Sequence, residues 1–396
     1  MIKLPTRFRD FDSDTLVTSE AGDFAFVDQT FIPRYLSNEL SVEEIDLALS
    51  KRLLATHEDD WRIKSLAINT QRKINKKERE IRYFLIIPTL RCNLACSYCQ
   101  VSRAPLDAVG FDWEQRHLEA FEEFFAKNAA QNVKIEFQGG EISLRPDLIE
   151  KVEAIASKYC SEIELVACTN LFEISSDFER LFSKENFLIS TSLDGDIEAM
   201  SANRTKNDVA AKSNIENIRR IIDEYGVNKI SFLPTITENN FDKPEDLIRL
   251  YVDMGASGIF LRPVNYQGFA RKQHKKSSSG FEDWTGYFER ALEEIRVVNR
   301  EKYFEEIYVA DLVRTIFLGL DTAFIDFRSP SRFVQDMVVV DFDGTIYPTD
   351  ESRMLTRTRH IDLSVGSIFD GLDEEKISQL NSYALKETNL LHAGRL

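Results

Sequence analysis

Three cysteines, Cys92, Cys96 and Cys99, lie in the string TLRCNLACSYCQ, directly after the apolar run Tyr83-Phe84-Leu85-Ile86-Ile87. Thiolates are the usual protein ligands of iron–sulfur clusters, and four are needed to complete a cubane. Three leave one iron without a protein ligand, and an open metal position is what a catalytic site uses to bind substrate or cofactor. The short gaps let a single loop wrap one cubane. A structural zinc or redox knuckle is the competing reading of the same spacing. Zinc calls for a fourth Cys or His close by, and His117, the next histidine along the chain, falls inside an amphipathic stretch.

A second set of candidates follows strand-like runs. Gln138-Gly139-Gly140-Glu141 comes after Lys134–Phe137. Glycines at a strand end let the backbone approach a ligand closely, and a carboxylate there can accept bonds from an ammonium group. Asn170 closes the run through Cys168-Thr169, Ser192-Leu193-Asp194-Gly195 follows Leu188–Ser192, and Asn203-Arg204 comes next. An ordinary turn accounts equally for Asp194-Gly195, and a surface ion pair for Arg204. All these positions are C-terminal strand ends, the rim where α/β barrels gather their active sites.

The elements that must position them alternate from Ile81 onward. Strand-like runs are Phe84–Pro88, Lys134–Phe137, Glu164–Ala167, Leu188–Ser192, Lys229–Pro234 and Gly258–Leu261. Between them lie the amphipathic stretches Trp113–Asn128, Asp147–Lys158, Asp177–Ser183, Val209–Tyr225 and Lys243–Met254. This α/β pattern predicts a parallel sheet covered by helices, as an open doubly wound sheet or a partial (β/α)6 barrel of the TIM type. Phe281–Leu320 reads as two further helices, and Val338–Val340 with Thr345–Tyr347 around Asp343-Gly344 as a β-hairpin.

Residues 1–80 read as a separate α+β module, 81–325 as the core and 326–396 as a short C-terminal part that ends in short helices and a weakly ordered tail. In the first, Thr15–Thr18 and Asp23–Val27 flank the turn Glu20-Ala21-Gly22, and Ser41 with Glu44 makes a capping box before a helix. The charged run Gln71–Glu80 reads as a linker or exposed helix.

With 396 residues the chain can hold two or three domains. A formal charge of −16 argues against nucleic acid and against an anionic membrane surface as partners. The N-terminus MIKLPTRFRDF has no secretory signal, and no window approaches the roughly eighteen apolar residues of a spanning helix. A cytoplasmic location follows, where thiols stay reduced. Five cysteines with three clustered suit metal ligation, while Cys160 and Cys168 read as packed free thiols.

CNLACSYC, including the aromatic Tyr98 before the last cysteine, resembles the cluster loop of radical S-adenosylmethionine (SAM) enzymes. The resemblance implies that Cys92, Cys96 and Cys99 hold one [4Fe–4S] cluster whose fourth iron is chelated by SAM. Gly139, Gly140 and Glu141 match the GGE segment that meets the SAM amino group, although Ile142 stands where the family usually has Pro. Ser192 and Arg204 match positions that contact the SAM ribose and carboxylate, and Asn170 and Asp194 match positions near the site. Together with STSLDG, SANR, GIFLRPVNYQGFA and VVVDFDGTIYPTDESRML, these strings resemble the radical SAM maturases of the His-Xaa-Ser peptide systems (HxsB-like), relatives of the SPASM-domain peptide-modifying enzymes.

That implies hydrogen abstraction from a ribosomally made peptide (a RiPP precursor with a leader), and a cellular reductant such as flavodoxin or ferredoxin. The N-terminal module is similar, more loosely, to small winged-helix domains that bind a leader peptide by strand addition. SPASM relatives carry further cysteines from near Tyr347-Pro348-Thr349; this chain has none after Cys168, so the C-terminal part reads as a SPASM-like remnant and the expectation is one cluster per chain. The alternatives are a radical SAM enzyme acting on a protein or small molecule, sulfatase-maturase-like, and a non-catalytic Fe–S or leader-binding subunit. Residues 262–269 read as a loop facing the substrate, with Arg262 and Tyr266 its candidates.

Overall fold

The computed structural model describes residues 1–74, 79–274, 280–318, 332–359 and 361–386. The chain divides into two compact units, one of residues 1–78, 316–332 and 378–396, the other of 79–315 and 333–377. The boundary expected at 325/326 and the tail from 387 lie outside the described residues.

The first unit opens with β1 (Ile2–Lys3), then β2 (Thr6–Phe11), β3 (Asp14–Ser19) and β4 (Phe24–Asp28), which form a three-stranded antiparallel meander. Helices α1 (Phe31–Ser37) and α2 (Val42–Ser50) follow, then β5 (Leu54–Ala55), which pairs with β1, and α3 (Trp61–Ile74). The β3–β4 hairpin and the Ser41–Glu44 capping box stand where the sequence places them. Strand β2 (TRFRDF) is not among the expected strands; its Arg–Phe alternation is a strand signal, but nearly all of it is exposed, so no buried face marks it. One face of the meander buries Val17 and Val27 against Phe31, Ile32, Tyr35 and Ala48. β2 is an edge of this sheet.

The second unit is built on β6 (Ile81–Ile86), α4 (Gln115–Asn128), β7 (Ala129–Phe137), α5 (Pro146–Ala156), β8 (Glu162–Cys168), α6 (Ser176–Glu179), β9 (Phe187–Thr191), α7 (Ile197–Met200), α8 (Asp208–Tyr225), β10 (Ile230–Phe232) and α9 (Pro244–Asp253). It continues through β11 (Gly258–Ile259), α10 (Ala270–Gln273), α11 (Gly280–Val298), β12 (Glu305–Glu306), the start of α12 (Ile307–Leu318), β13 (Met337–Val340), β14 (Ile346–Tyr347) and α13 (Asp350–Arg357). The seven-stranded sheet has the order β10-β9-β8-β7-β6-β13-β14, parallel except for β14. Apolar residues on the outward face, such as Phe84 against Phe121 and Phe125 of α4, bind sheet to helix.

The sheet is open, not a closed barrel, and it differs from the six expected βα units at one strand. Gly258–Ile259 is too short to extend the sheet and pairs instead with Glu305–Glu306. The sixth parallel strand is Met337–Val340, which docks beside β6 with all four residues buried. Residues 333–377 therefore fold with the core, and the expected hairpin with Ile346–Tyr347 forms at the sheet's edge.

Candidate active site

The cysteine loop leaves the C-terminal end of β6 and is tied at its mouth. Leu90 N donates to Phe111 O (2.9 Å), and Cys92 N to Ala104 O (3.1 Å). Asp112 receives Arg91 and Arg145 (2.6 and 3.2 Å) and the Thr89 hydroxyl (2.6 Å). A loop this constrained presents its side chains in a fixed arrangement before any ligand arrives.

Gly139 and Gly140 press against the strand leading to Cys92. Gly140 N donates to Thr89 O (3.0 Å) and Glu141 N to Arg91 O (2.7 Å). A Cβ on either glycine would fall inside the van der Waals radius of the Thr89 or Arg91 carbonyl, and Gly139 has φ +130°. These are the positions where only glycine fits. Glu141, almost fully buried, does not point its carboxylate at open space. It accepts from Ser143 N (3.0 Å), Thr169 Oγ1 (2.5 Å) and Asn170 N (2.7 Å), locking the end of β7 to the end of β8. An ionised carboxylate offers about four acceptor sites, so one remains beyond these three.

Asn170 stands at the cluster loop. Its Nδ2 donates to Asn93 Oδ1 (2.8 Å) and lies 4.0 Å from the Cys92 sulfur, while its carbonyl accepts from Asn214 (2.7 Å). Leu94 N donates to the same sulfur at 3.4 Å. Hydrogen-bond donors around a ligating sulfur are the surroundings that tune a cluster.

Tyr98, Asp194 and Arg204 form one network. Tyr98 donates to Asp194 Oδ2 (2.7 Å) and accepts from Arg204 Nη1 (2.5 Å). Asp194 Oδ1 takes Thr235 N (3.0 Å), and Asn203 reaches Oδ2 (3.4 Å). Burial pushes the Asp194 carboxyl up, opposed by the Arg204 guanidinium. Asn203 and Arg204 sit in a π-helical turn, Ser201–Thr205, a distortion common at functional sites. Ser192 lies half-buried just past β9 and joins none of these bonds. Cys160 and Cys168 donate to Ala130 O and Glu136 Oε1, both at 3.3 Å, away from the loop thiols. In the 262–269 loop, Phe269 N donates to Cys99 O (2.9 Å), so part of this segment clasps the cysteine loop.

Residues 86–251 match the model of the Radical SAM superfamily, a span that runs from the end of β6 into α9 and holds every cluster and SAM candidate, though not Arg262 and Tyr266. Over 126 residues the chain is 34% identical to the GTP 3',8-cyclase of Campylobacter curvus (strain 525.92), covering 31% of this chain and 37% of that protein. The chain thus spans little more than a third of that relative's length. It superposes on the solved structure of native anSMEcpe with bound AdoMet (TM-score 0.61, 20% identity, 76% of this chain and 84% of the other). It also superposes on native anSMEcpe with bound AdoMet and Kp18Cys peptide (TM-score 0.59, 20% identity, 76% and 83% covered). At such identities the likeness is one of fold. The second unit carries an α/β fold like that of these solved structures, and its residues 86–251 are similar to the Radical SAM superfamily.

That fold implies SAM and an iron–sulfur cluster, and the residues present suit both. Burial pushes the Cys92 thiol up to about 12, eased by the Leu94 amide, and raises Cys96, eased by Arg204. Thiols so placed ionise when a metal supplies positive charge. Arg204 Nε and Asn93 Nδ2 are buried without a partner, donors left over for a bound group.

Proposed function

We propose that this protein is a radical SAM enzyme that modifies a ribosomally synthesised peptide, a maturase of the His-Xaa-Ser type working with one [4Fe–4S] cluster. The observation that carries the reading is the abutment of the Cys92–Cys99 loop on Gly139-Gly140-Glu141, with Tyr98, Asp194 and Arg204 on its flank, inside a radical SAM fold. When bound, the cluster and SAM supply a 5′-deoxyadenosyl radical able to take hydrogen from an unactivated carbon.

The chain's own residues do the rest. Cys92, Cys96 and Cys99 would ligate three irons of the cluster. Gly139 and Gly140 leave room for the backbone to approach the SAM methionine group, and Glu141 fixes the two strand ends beside it. Arg204, anchored on Tyr98, would offer a cation to the SAM carboxylate, Ser192 would meet the ribose, and Asp194 holds the Tyr98–Arg204 pair in place through its bond to the Tyr98 hydroxyl. Burial of this wall excludes water from a reactive intermediate.

The peptide assignment has three supports. Several long strings resemble the His-Xaa-Ser maturases, and the anSMEcpe neighbour has been solved with a peptide. In addition, the first unit presents β2 as a sheet edge with Phe8 and Phe11 about half exposed, a surface to which a leader can add as a strand. Three clustered cysteines suit a reducing compartment, so the enzyme is placed in the cytoplasm and served by a flavodoxin or ferredoxin; among the described residues no helix is long and apolar enough to cross a membrane.

A second reading, a small-molecule substrate, is favoured by the identity with GTP 3',8-cyclase. Co-expression with a neighbouring precursor bearing His-Xaa-Ser repeats, followed by mass spectrometry, separates them. A two-dalton loss or an epimerised residue supports the maturase. An unmodified peptide alongside turnover of a nucleotide supports the second reading.

A further inference from the structure

His274 lies 177 residues beyond Ser97 in the chain, yet its ring is buried against the cysteine loop. Nε2 is 3.0 Å from Ser97 Oγ, and Nδ1 is 2.7 Å from Glu238 Oε2. Ser97, itself buried, stands between Cys96 and Cys99, whereas the Glu238 side chain is 60% exposed. A carboxylate only accepts, so the ring proton sits on Nδ1; in the neutral imidazole Nε2 then accepts, and the Ser97 hydroxyl donates. The chain Ser97 O–H to His274 to Glu238 thus reaches from the loop to solvent.

The same turn is held from two other directions. Ser97 N donates to Asn203 O (2.8 Å). Gly268, with φ +55°, passes so close that a Cβ would lie 2.5 Å from Cys99 O, and Phe269 N bonds that carbonyl at 2.9 Å. The segment from Gly268 to His274 is therefore a strap across the Cys96–Cys99 turn, fastened at Cys99 by backbone and at Ser97 by the imidazole.

We propose that His274 is a positioning residue for the cluster, acting through Ser97. It fixes the turn carrying two of the three thiolates, and it keeps the Ser97 hydroxyl committed to nitrogen rather than to sulfur. The proposal rests on the reading of Cys92, Cys96 and Cys99 as cluster ligands. A hydroxyl released to donate to a cluster or ligand sulfur stabilises the more negative, reduced state and raises the reduction potential.

The test uses the full chain, reconstituted anaerobically, with iron and sulfide per chain and an EPR-monitored redox titration without SAM. His274→Ala is expected to retain less iron and to show a higher midpoint potential than wild type. His274→Gln, whose side-chain oxygen accepts in place of Nε2, restores the wild-type potential. Ser97→Ala also loses iron but keeps the potential, and adding His274→Ala to Ser97→Ala moves it no further. A His274→Ala potential equal to wild type, or an equal shift in the Ser97→Ala background, overturns the proposal. Should His274→Ala not fold, the exposed Glu238→Ala is expected to raise the potential in the same direction, and no shift there overturns it equally. A wild-type chain that takes up no iron would instead refute the underlying assignment of the three cysteines.

Discussion

Asn170 Nδ2 bonds Asn93 Oδ1 at 2.8 Å with the Cys92 sulfur 4.0 Å from the same nitrogen. One side chain at the end of β8 thus steadies the residue beside the first thiol and places an N–H near its sulfur. Asn170→Ala removes both. The expected outcome is a lower midpoint potential, opposite in sign to His274→Ala, with a stability loss of about 1–3 kcal/mol for the unpaired buried groups. A redox titration and a thermal melt check the two parts separately.

Replacing Cys92, Cys96 or Cys99 with Ala is expected to abolish cluster uptake. Cys160→Ala and Cys168→Ala are expected to keep full iron and sulfide and to cost at most about 1 kcal/mol. Iron and sulfide analysis decides it, and retained stoichiometric iron in the triple variant would place the ligands elsewhere.

Gly140→Ala drives a methyl group into the Leu90 and Arg91 carbonyls, which are backbone and cannot swing away. A loss of about 2–5 kcal/mol is expected. Gly286→Ala is the control: it is exposed on α11 and its added Cβ meets nothing within 4 Å, so it is expected to gain about 0.5–1 kcal/mol. Equal melting temperatures for the two variants would contradict the close approach of the glycine segment to the loop.

Asp350 begins α13, and its carboxyl is pushed up to about 6 by burial, opposed by Arg353. Its Oδ2 meets Gln100 Nε2 at 3.5 Å, and its Oδ1 has no partner. Between the ordinary 3.8 and about 6 the folded chain holds more of this proton than the unfolded chain. Stability contributed by this group therefore falls as pH rises through that window and is flat above it. Asp350→Asn removes the dependence, so the variant is expected to gain on wild type from about pH 4 to about pH 7 in thermal melts. A constant difference would show the carboxyl to be unperturbed.

Much of this architecture is legible in the residues. Runs such as Leu165–Ala167 and Phe187–Ile189 are apolar because the strands are covered by helices, and helices α4, α5, α8 and α9 fall within a few residues of their amphipathic stretches. The sixth strand is not legible: Gly258–Leu261 and Met337–Val340 are both short apolar runs, and only the open edge of β6 decides between them. The site divides the same way. Cysteines at fixed spacing and two glycines before a carboxylate announce themselves locally. Glu141's hydrogen bonds to Thr169 and Asn170, and the reach of His274 to Ser97, join residues far apart in the chain, for which a lone histidine or a common Asn gives no periodic or compositional signal.

The most direct test of the central claim is an EPR spectrum of the reduced, reconstituted protein recorded with and without SAM, with 5′-deoxyadenosine assayed in the same sample. A cluster signal that changes when SAM is added, together with accumulation of 5′-deoxyadenosine, is expected. A cubane signal indifferent to SAM, or a loop filled stoichiometrically by zinc with no iron, would contradict that claim.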